Sequence, residues 1–105
     1  MFNVRVSDRL ADAAAGEFGP KRSGGGQPSE WDFWSGPLAA ALIAFRDFES
    51  LEFDQVPIVR RYTYVDPVFG PLVFIGVLID PSTVELDAFG YDPDYWDLVN
   101  DDPID

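Results

Sequence analysis

Apolar and polar residues form their clearest pattern between Val56 and Phe89, where three β-type runs are separated by two turn signals. The run Ile58–Val65 is rich in β-branched and aromatic residues, as strands are. The run Leu72–Ile79 is apolar throughout, which is typical of a strand covered on both faces. The run Thr83–Phe89 alternates apolar and acidic residues, which predicts one buried and one exposed face. We therefore expect a meander of three antiparallel strands with the middle strand deepest.

Proline and glycine mark the two connections of this meander. Asp66-Pro67 and Gly70-Pro71 follow the first run, and Asp80-Pro81-Ser82 follows the second. Proline fixes its φ angle and lacks an N–H donor, so it favours turns and strand ends. An Asp-Pro-Ser segment suits a tight turn with proline at its second position.

Before the meander, the pattern predicts a short strand and a first helix. Phe2–Val6 alternates apolar and polar residues, as a strand does. Ser7 or Asp8 can cap a helix over the alanine-rich run from Leu10 to Phe18. Gly19-Pro20 ends that helix.

A second helix is predicted from Leu38 to Phe48, because apolar residues recur there at the spacing of one helix face. The members of that stripe are Leu38, Ala41, Leu42, Phe45 and Phe48. Just before it, Ser29 and Asp32 have the spacing of a capping box, which indicates one helical turn. The aromatic group Trp31, Phe33 and Trp34 either closes the end of a core or anchors an interface.

These elements predict an α+β fold: an N-terminal strand, two helices, then a three-stranded antiparallel meander with the helices packed on one face. The whole chain, 1–105, is expected to form a single domain. Within it we expect a flexible glycine-rich loop at 19–29 and an acidic tail at 90–105. Residues 52–55 are expected to link the second helix to the meander.

The amino-acid composition excludes several kinds of side-chain chemistry. The chain has neither cysteine nor histidine, which removes disulfides, thiolate ligands and the most common general base. We expect no metal and no cofactor, and the composition leaves open whether the protein has a catalytic activity. The N-terminus lacks the apolar run of a signal peptide, and no apolar run approaches the roughly 20 residues that span a bilayer. A cytoplasmic protein without membrane contact is the expectation.

Charge is the strongest global signal, with a net of −12. Nine acidic and seven basic residues occur up to Arg61, and ten acidic and no basic residues follow it. Phosphate contacts need Lys and Arg, so we expect a basic protein partner and no direct contact with nucleic acid. An acidic surface that only maintains solubility is the alternative. The candidate partner-binding residues are Glu85, Asp87, Asp92, Asp94, Asp97, Asp101 and Asp102.

Other site patterns fit less well. Asp92, Asp94 and Asp97 suggest calcium, but the loop lacks the glycine and glutamate that an EF-hand requires. The glycine-rich loop lacks the spaced glycine followed directly by Lys-Ser or Lys-Thr that defines a P-loop. A pair of carboxylates meeting in space for glycoside hydrolysis stays open. Arg60 and Arg61 should point to opposite faces of a strand, where one can pair with Glu85 or face a site.

The order of strand, two helices and meander resembles the RelE/ParE superfamily of small bacterial toxins. The resemblance is carried by GPLAAALIAFRDF, VRRYTYVDP, FGPLVFIGVLIDPSTVEL and DPDYW, at the level of topology and size. It implies a partly open sheet with helices on one side and an antitoxin partner. The family's nucleases use basic residues, sometimes with a C-terminal tyrosine. The corresponding toxin-like site here would be Arg60, Arg61, Tyr91 and Tyr95.

Two hypotheses follow. The first is a small acidic interaction protein, that is, an inhibitor, an immunity-type factor or a nucleic-acid mimic, that binds a basic protein surface. The second is a RelE/ParE-like toxin or a degenerate relative from a toxin–antitoxin system. The oligomeric state is left open by both.

Overall fold

A computed structural model describes residues 1–18, 29–54 and 56–91, without the side chains of Asp54 and Tyr91. The predicted loop, except Ser29, and the predicted tail beyond Tyr91 lie outside these residues. Over the described residues the fold is α+β, with a five-stranded mixed sheet in the order β1-β5-β4-β3-β2. The strands are β1 (Asn3–Val6), β2 (Glu52–Asp54), β3 (Val56–Asp66), β4 (Gly70–Asp80) and β5 (Thr83–Tyr91). The helices are α1 (Asp8–Glu17), α2 (Glu30–Ser35), α3 (Pro37–Ala44) and a 3-10 helix (Phe45–Ser50).

The predicted antiparallel meander is confirmed as β3, β4 and β5, but it is only the middle of a larger sheet. The N-terminal strand joins this sheet, because β1 pairs in parallel with β5 from Asn3 opposite Thr83 to Val6 opposite Leu86. The segment expected to be only a linker forms β2, which pairs antiparallel with β3. Three residues are too short a strand to show a periodic pattern, so this element gives no sequence signal.

Two hydroxyl caps start the first helices as predicted. The Ser7 Oγ accepts a hydrogen bond from the Leu10 N–H at 3.0 Å, so Ser7 rather than Asp8 is the cap of α1. The Ser29–Asp32 capping box is present at α2, where each side chain accepts from the other residue's backbone N–H. These bonds satisfy donors that an uncapped helix leaves unpaired.

The predicted second helix is wrong in one respect, because it is not continuous. It ends as an α-helix at Ala44 and continues as a 3-10 helix, in which Asp47 leaves helical geometry (φ −105°, ψ 59°). The predicted apolar stripe nevertheless faces the core: Leu38, Ala41, Phe45 and Phe48 are buried, and Leu42 is partly buried against them.

The core lies between the helices and one face of the sheet. Leu72 and Phe74 of β4 and Val84 and Leu86 of β5 are fully buried there. Phenylalanines fill one end: the ring centroid of Phe33 lies 4.6 Å from that of Phe89 and 5.0 Å from that of Phe18. The helices contribute Leu10, Ala14, Phe18, Phe33, Leu38, Ala41, Phe45 and Phe48.

The helical layer approaches the sheet closely at Gly76, in the middle of β4. The ring of Phe45 lies directly on this glycine, and a Cβ added there would fall 2.7 Å from the Phe45 Cδ1 atom. Any larger residue would push the ring away or bend the strand. The 3-10 helix therefore packs against the sheet at Gly76.

We predict that Phe45→Ala lowers the free energy of unfolding by about 3–5 kcal/mol, because it empties a fully buried aromatic site. Ile43→Ala is the matched control, since Ile43 lies two residues earlier on α3 and is 64% exposed. Urea denaturation measures both variants. Equal stability of the Phe45 variant and the wild type would contradict the assigned helix face.

The same contact predicts that Gly76→Ala costs about 1–3 kcal/mol through overpacking. Combining it with Phe45→Leu, which shortens the opposing side chain, should recover part of that loss. The coupling follows from a double-mutant cycle in urea. Additive losses from the two substitutions would contradict a direct contact between these residues.

Candidate binding surfaces

Two described acids, Asp66 at the end of β3 and Asp80 at the end of β4, stabilise the turns of the meander. The Asp66 Oδ1 accepts hydrogen bonds from the backbone N–H groups of Val68 (2.7 Å) and Phe69 (3.1 Å). Asp66 is buried, and Gly70 closes this turn with a φ of 81°, which glycine adopts without strain. The Asp80 Oδ1 accepts from the Ser82 N–H at 2.9 Å. Both carboxylates thus have structural roles as side-chain caps of Asp-Pro turns.

The next two acids of the chain, the predicted partner-binding residues Glu85 and Asp87, are paired within the molecule. Glu85 Oε2 lies 3.0 Å from Arg5 Nε of β1. The Asp87 Oδ2 lies 3.5 Å from Arg9 Nη1 of α1. Asp87 is the extra residue of a β-bulge, since Ile75 pairs with Ala88 whereas Gly76 pairs with Leu86. The expected pairing of Glu85 with Arg60 or Arg61 is wrong, because β4 lies between β3 and β5.

The remaining predicted partner-binding residues lie outside the described part of the chain, and so does Tyr95 of the predicted toxin-like site. These partner-binding residues are Asp92, Asp94, Asp97, Asp101 and Asp102. Tyr91 ends β5, and only its backbone is described. The role of the five acids in partner binding, and that of Tyr91 and Tyr95 in a toxin-like site, stay predictions.

Arg60 holds the end of the 3-10 helix. It is buried, and its Nη1 donates to the carbonyl oxygens of Phe48, Glu49 and Leu51 at 2.9–3.1 Å. Its guanidinium lies over two rings, 4.9 Å from the centroid of Phe48 and 4.4 Å from that of Phe53. A cation placed on the last carbonyls of a helix interacts favourably with its dipole. Among the described carboxylates, none is within salt-bridge distance of Arg60.

Arg61 points to the opposite side of the sheet, as strand alternation predicts. Its Nη2 lies 3.5 Å from the Glu52 Oε1, and it lines a shallow cleft of about 280 Å³. Tyr62 is in the same cleft, where burial, and then the neighbouring Tyr64, raise the pKa of its phenol above the ordinary value. The toxin-like pair Arg60 and Arg61 is therefore divided between a buried structural position and an exposed cleft.

Three acids of α1 have no ion-pair partner among the described residues. Asp8, Asp12 and Glu17 are exposed on α1, and no cation of the described residues is within 4.0 Å of them. Asp8 and Asp12 are one helical turn apart, where like charges cost about 0.2–0.5 kcal/mol. Glu17 is in the last turn, where negative charge opposes the helix dipole. Helix stability alone favours neither Asp12 nor Glu17.

Two exposed tryptophans stand on the neighbouring helix. Trp31 of α2 is 68% exposed and Trp34 is 37% exposed, whereas Phe33 between them is fully buried. The predicted aromatic group thus divides: Phe33 closes the core, and the two tryptophans face outward. Phe18, directly after α1, packs on Phe33 and brings the end of α1 against α2. We call the exposed residues Asp8, Asp12 and Glu17 of α1 and Trp31 and Trp34 of α2, taken together, the acidic helical side.

Within 1–18, 29–54 and 56–91, no group of three or more Asp or Glu side chains has the arrangement of a metal site. No helix in these ranges is long and apolar enough to cross a membrane. Comparisons with protein-family models, with curated proteins and with solved structures give no match for this chain. The resemblance to RelE/ParE toxins therefore stays a prediction.

We predict that Arg60→Lys lowers the free energy of unfolding by about 3 kcal/mol or more, because buried carbonyls lose charge-assisted partners. Arg61→Lys is the matched control, since it makes the same change on the exposed side and should be neutral within about 0.5 kcal/mol. Thermal and urea denaturation measure both variants. An equal response of the two variants would contradict the structural role of Arg60.

The hydrogen bonds of the turn at Asp80 predict that the stability of the protein depends on pH. The Ser82 N–H, followed by the Thr83 hydroxyl, lowers the pKa of Asp80 from its ordinary value of 3.8. Its contribution to stability is therefore complete above that value and is lost as pH falls through the lowered folded-state pKa. Stability curves of the wild type and Asp80→Asn between pH 7 and pH 2 should converge toward the acid end. Parallel curves would contradict the prediction.

Proposed function

We propose that this protein is a small acidic interaction protein whose acidic helical side binds a basic protein surface. The observation that carries the proposal is the presence of two exposed tryptophans on α2 and of unpaired carboxylates on α1, the helix that packs against it. Tryptophan is enriched among residues that dominate binding energy at interfaces. Carboxylates around such anchors attract cationic partners and repel nucleic acid.

The distribution of charge supports this side of the molecule over the meander. Of the four described meander acids, Asp66 and Asp80 cap turns, and Glu85 and Asp87 have arginine partners. Binding a cation through Glu85 or Asp87 would first break an internal ion pair. Asp12 and Glu17 have no such competitor among the described cations, and their helix has no structural need for their charge.

The toxin-like alternative is not favoured by a specific contact. RNA cleavage by basic residues would need exposed cations that converge on one site. Arg60 is occupied by three carbonyls of the 3-10 helix region, and Arg61 lies on the other side of the sheet. Measured cleavage of RNA by the purified protein would nevertheless favour this alternative.

We predict that Asp12→Asn with Glu17→Gln slows association with the basic partner while leaving thermal stability unchanged or slightly raised. Electrostatic attraction acts mainly on the association rate and is screened beyond about 8 Å at physiological salt. Added salt should therefore weaken binding of the wild type more than that of this variant. Glu52→Gln, which makes the same type of change on β2, is the control for net charge.

The experiment starts with affinity capture of the partner from cells that produce the protein, followed by stopped-flow association in a salt series. Trp31→Ala should accelerate dissociation, because tryptophan anchors act on the lifetime of a complex. Ile43→Ala, an exposed apolar control on α3, should not. Equal association rates for the wild type and the α1 double variant at low salt would contradict the proposal. Tight binding of the wild type to RNA or DNA would also contradict it.

A further inference from the structure

The central strand β4 is apolar on both of its faces, but the described helices cover only one of them. Leu72 and Phe74 are fully buried under the helices, and Gly76 lies under Phe45. Val73, Ile75 and Val77 alternate with these residues and point to the opposite side. They are absent from the side chains that pack on the core cluster. We call the side to which they point the outer face.

The apolar surface of the outer face extends onto both neighbouring strands. Val59 of β3 lies opposite Val77, and Ala88 of β5 lies opposite Ile75. The same row also has charged neighbours, because Arg61 of β3 lies opposite Ile75 and Glu85 of β5 lies opposite Val77. An antiparallel sheet that faces water on one side normally presents polar residues there. The row along β4 instead has the composition of a strand with a second covering layer.

The charges on the two sides of the β4 row are balanced. Arg5 of β1 pairs with Glu85 of β5 on one side, and Arg61 of β3 pairs with Glu52 of β2 on the other. We call these two flanking ion pairs the rims of the row. Each rim thus carries one positive and one negative charge, although the chain has a net charge of −12. A basic partner gains little from such a surface, whereas a second acidic chain can approach it without like charges meeting at either rim.

The size of the face is near the lower limit for a stable pair. Three strands, two of them 11 residues long and so about 36 Å, at a spacing of about 4.8 Å cover roughly 500 Å². The rims on β1 and β2 add to this area. Specific interfaces bury about 600–1,000 Å² on each partner. A sandwich of two such faces therefore fits a reversible pair of modest affinity.

We propose that a second copy of this chain packs on the outer face, giving a two-fold sandwich whose centre is formed by Val73, Ile75 and Val77 of both copies. Sheets pack face to face at about 10 Å, with interdigitating side chains from the two inner faces. A two-fold axis places the same residues on both sides of the contact. Each acidic helical side then faces away from the other, so the pair presents two of them to partners.

The test is analytical ultracentrifugation of the full chain over a range of concentrations. The wild type should show a monomer–dimer equilibrium that strengthens as salt rises, because salt screens the repulsion between two acidic chains. Ile75→Thr should raise the dissociation constant at least roughly tenfold, since each dimer buries two new hydroxyls. Ile43→Thr, the same change at an exposed position on α3, should leave it unchanged.

A second readout uses the absence of cysteine from the sequence. In Ile75→Cys the introduced thiol should be protected from a maleimide reagent at high protein concentration and reactive at low concentration. The thiol of Ile43→Cys should be reactive at both. Protection of Ile75→Cys that is independent of concentration would assign the covering layer to this chain's own residues 92–105 and overturn the proposal. A wild-type chain that stays monomeric up to millimolar concentration would overturn it as well.

The salt dependence separates this inference from the proposed function. Self-association through the balanced outer face should strengthen with salt, whereas binding of a basic partner to the acidic helical side should weaken. Ile75→Thr should remove the first without changing the association rate of a monomer with the basic partner. Either proposal can therefore fail while the other stands.

Discussion

The packing of the Phe45 ring on Gly76 is the contact on which the rest of the structure depends. Successive side chains of a strand point to opposite faces, so a single fixed position decides the orientation of every other residue in β4. Gly76 is the position at which the ring of the 3-10 helix meets the strand. Leu72 and Phe74 consequently face the core, and Val73, Ile75 and Val77 face away from it.

The contact also requires that the 3-10 helix end at a defined place. Arg60 provides this: β3 places it opposite Gly76 in the sheet, and its guanidinium donates to three carbonyl groups near the helix end. The rings of Phe48 and Phe53 both lie within cation–π distance of that guanidinium. An arginine that sequence inspection associates with nucleic-acid chemistry is thus part of the packing between the helical layer and the sheet.

The sequence predicted what depends on local chemistry. The Asp-Pro segments, the capping box at Ser29 and the strand runs of the meander all follow from short-range preferences of the backbone, and the structure contains them. The parallel pairing of β1 with β5 was not predictable, because it joins residues about 80 positions apart and depends on where α1 returns the chain. The break at Asp47 was also missed, since the apolar spacing of the stripe continues through it.

The candidate site could likewise be predicted only in part. The acidity of the chain is plain in its composition, but which carboxylates are paired depends on the position of Arg5 and Arg9 in the folded chain.

The acidic helical side and the outer face differ in their chemistry, and the sheet separates them. The helices carry unpaired acids and exposed tryptophans, and the outer face carries an apolar row between neutral rims. Both assignments depend on the orientation of β4. Nuclear Overhauser contacts of the Phe45 ring protons in a dilute, monomeric sample test that orientation most directly. The structure predicts strong contacts to the α protons of Gly76 and to the methyl groups of neighbouring core residues, with none to the methyl groups of Ile75 or Val77. Strong contacts to Ile75 or Val77 would reverse the two faces of the strand and contradict the account.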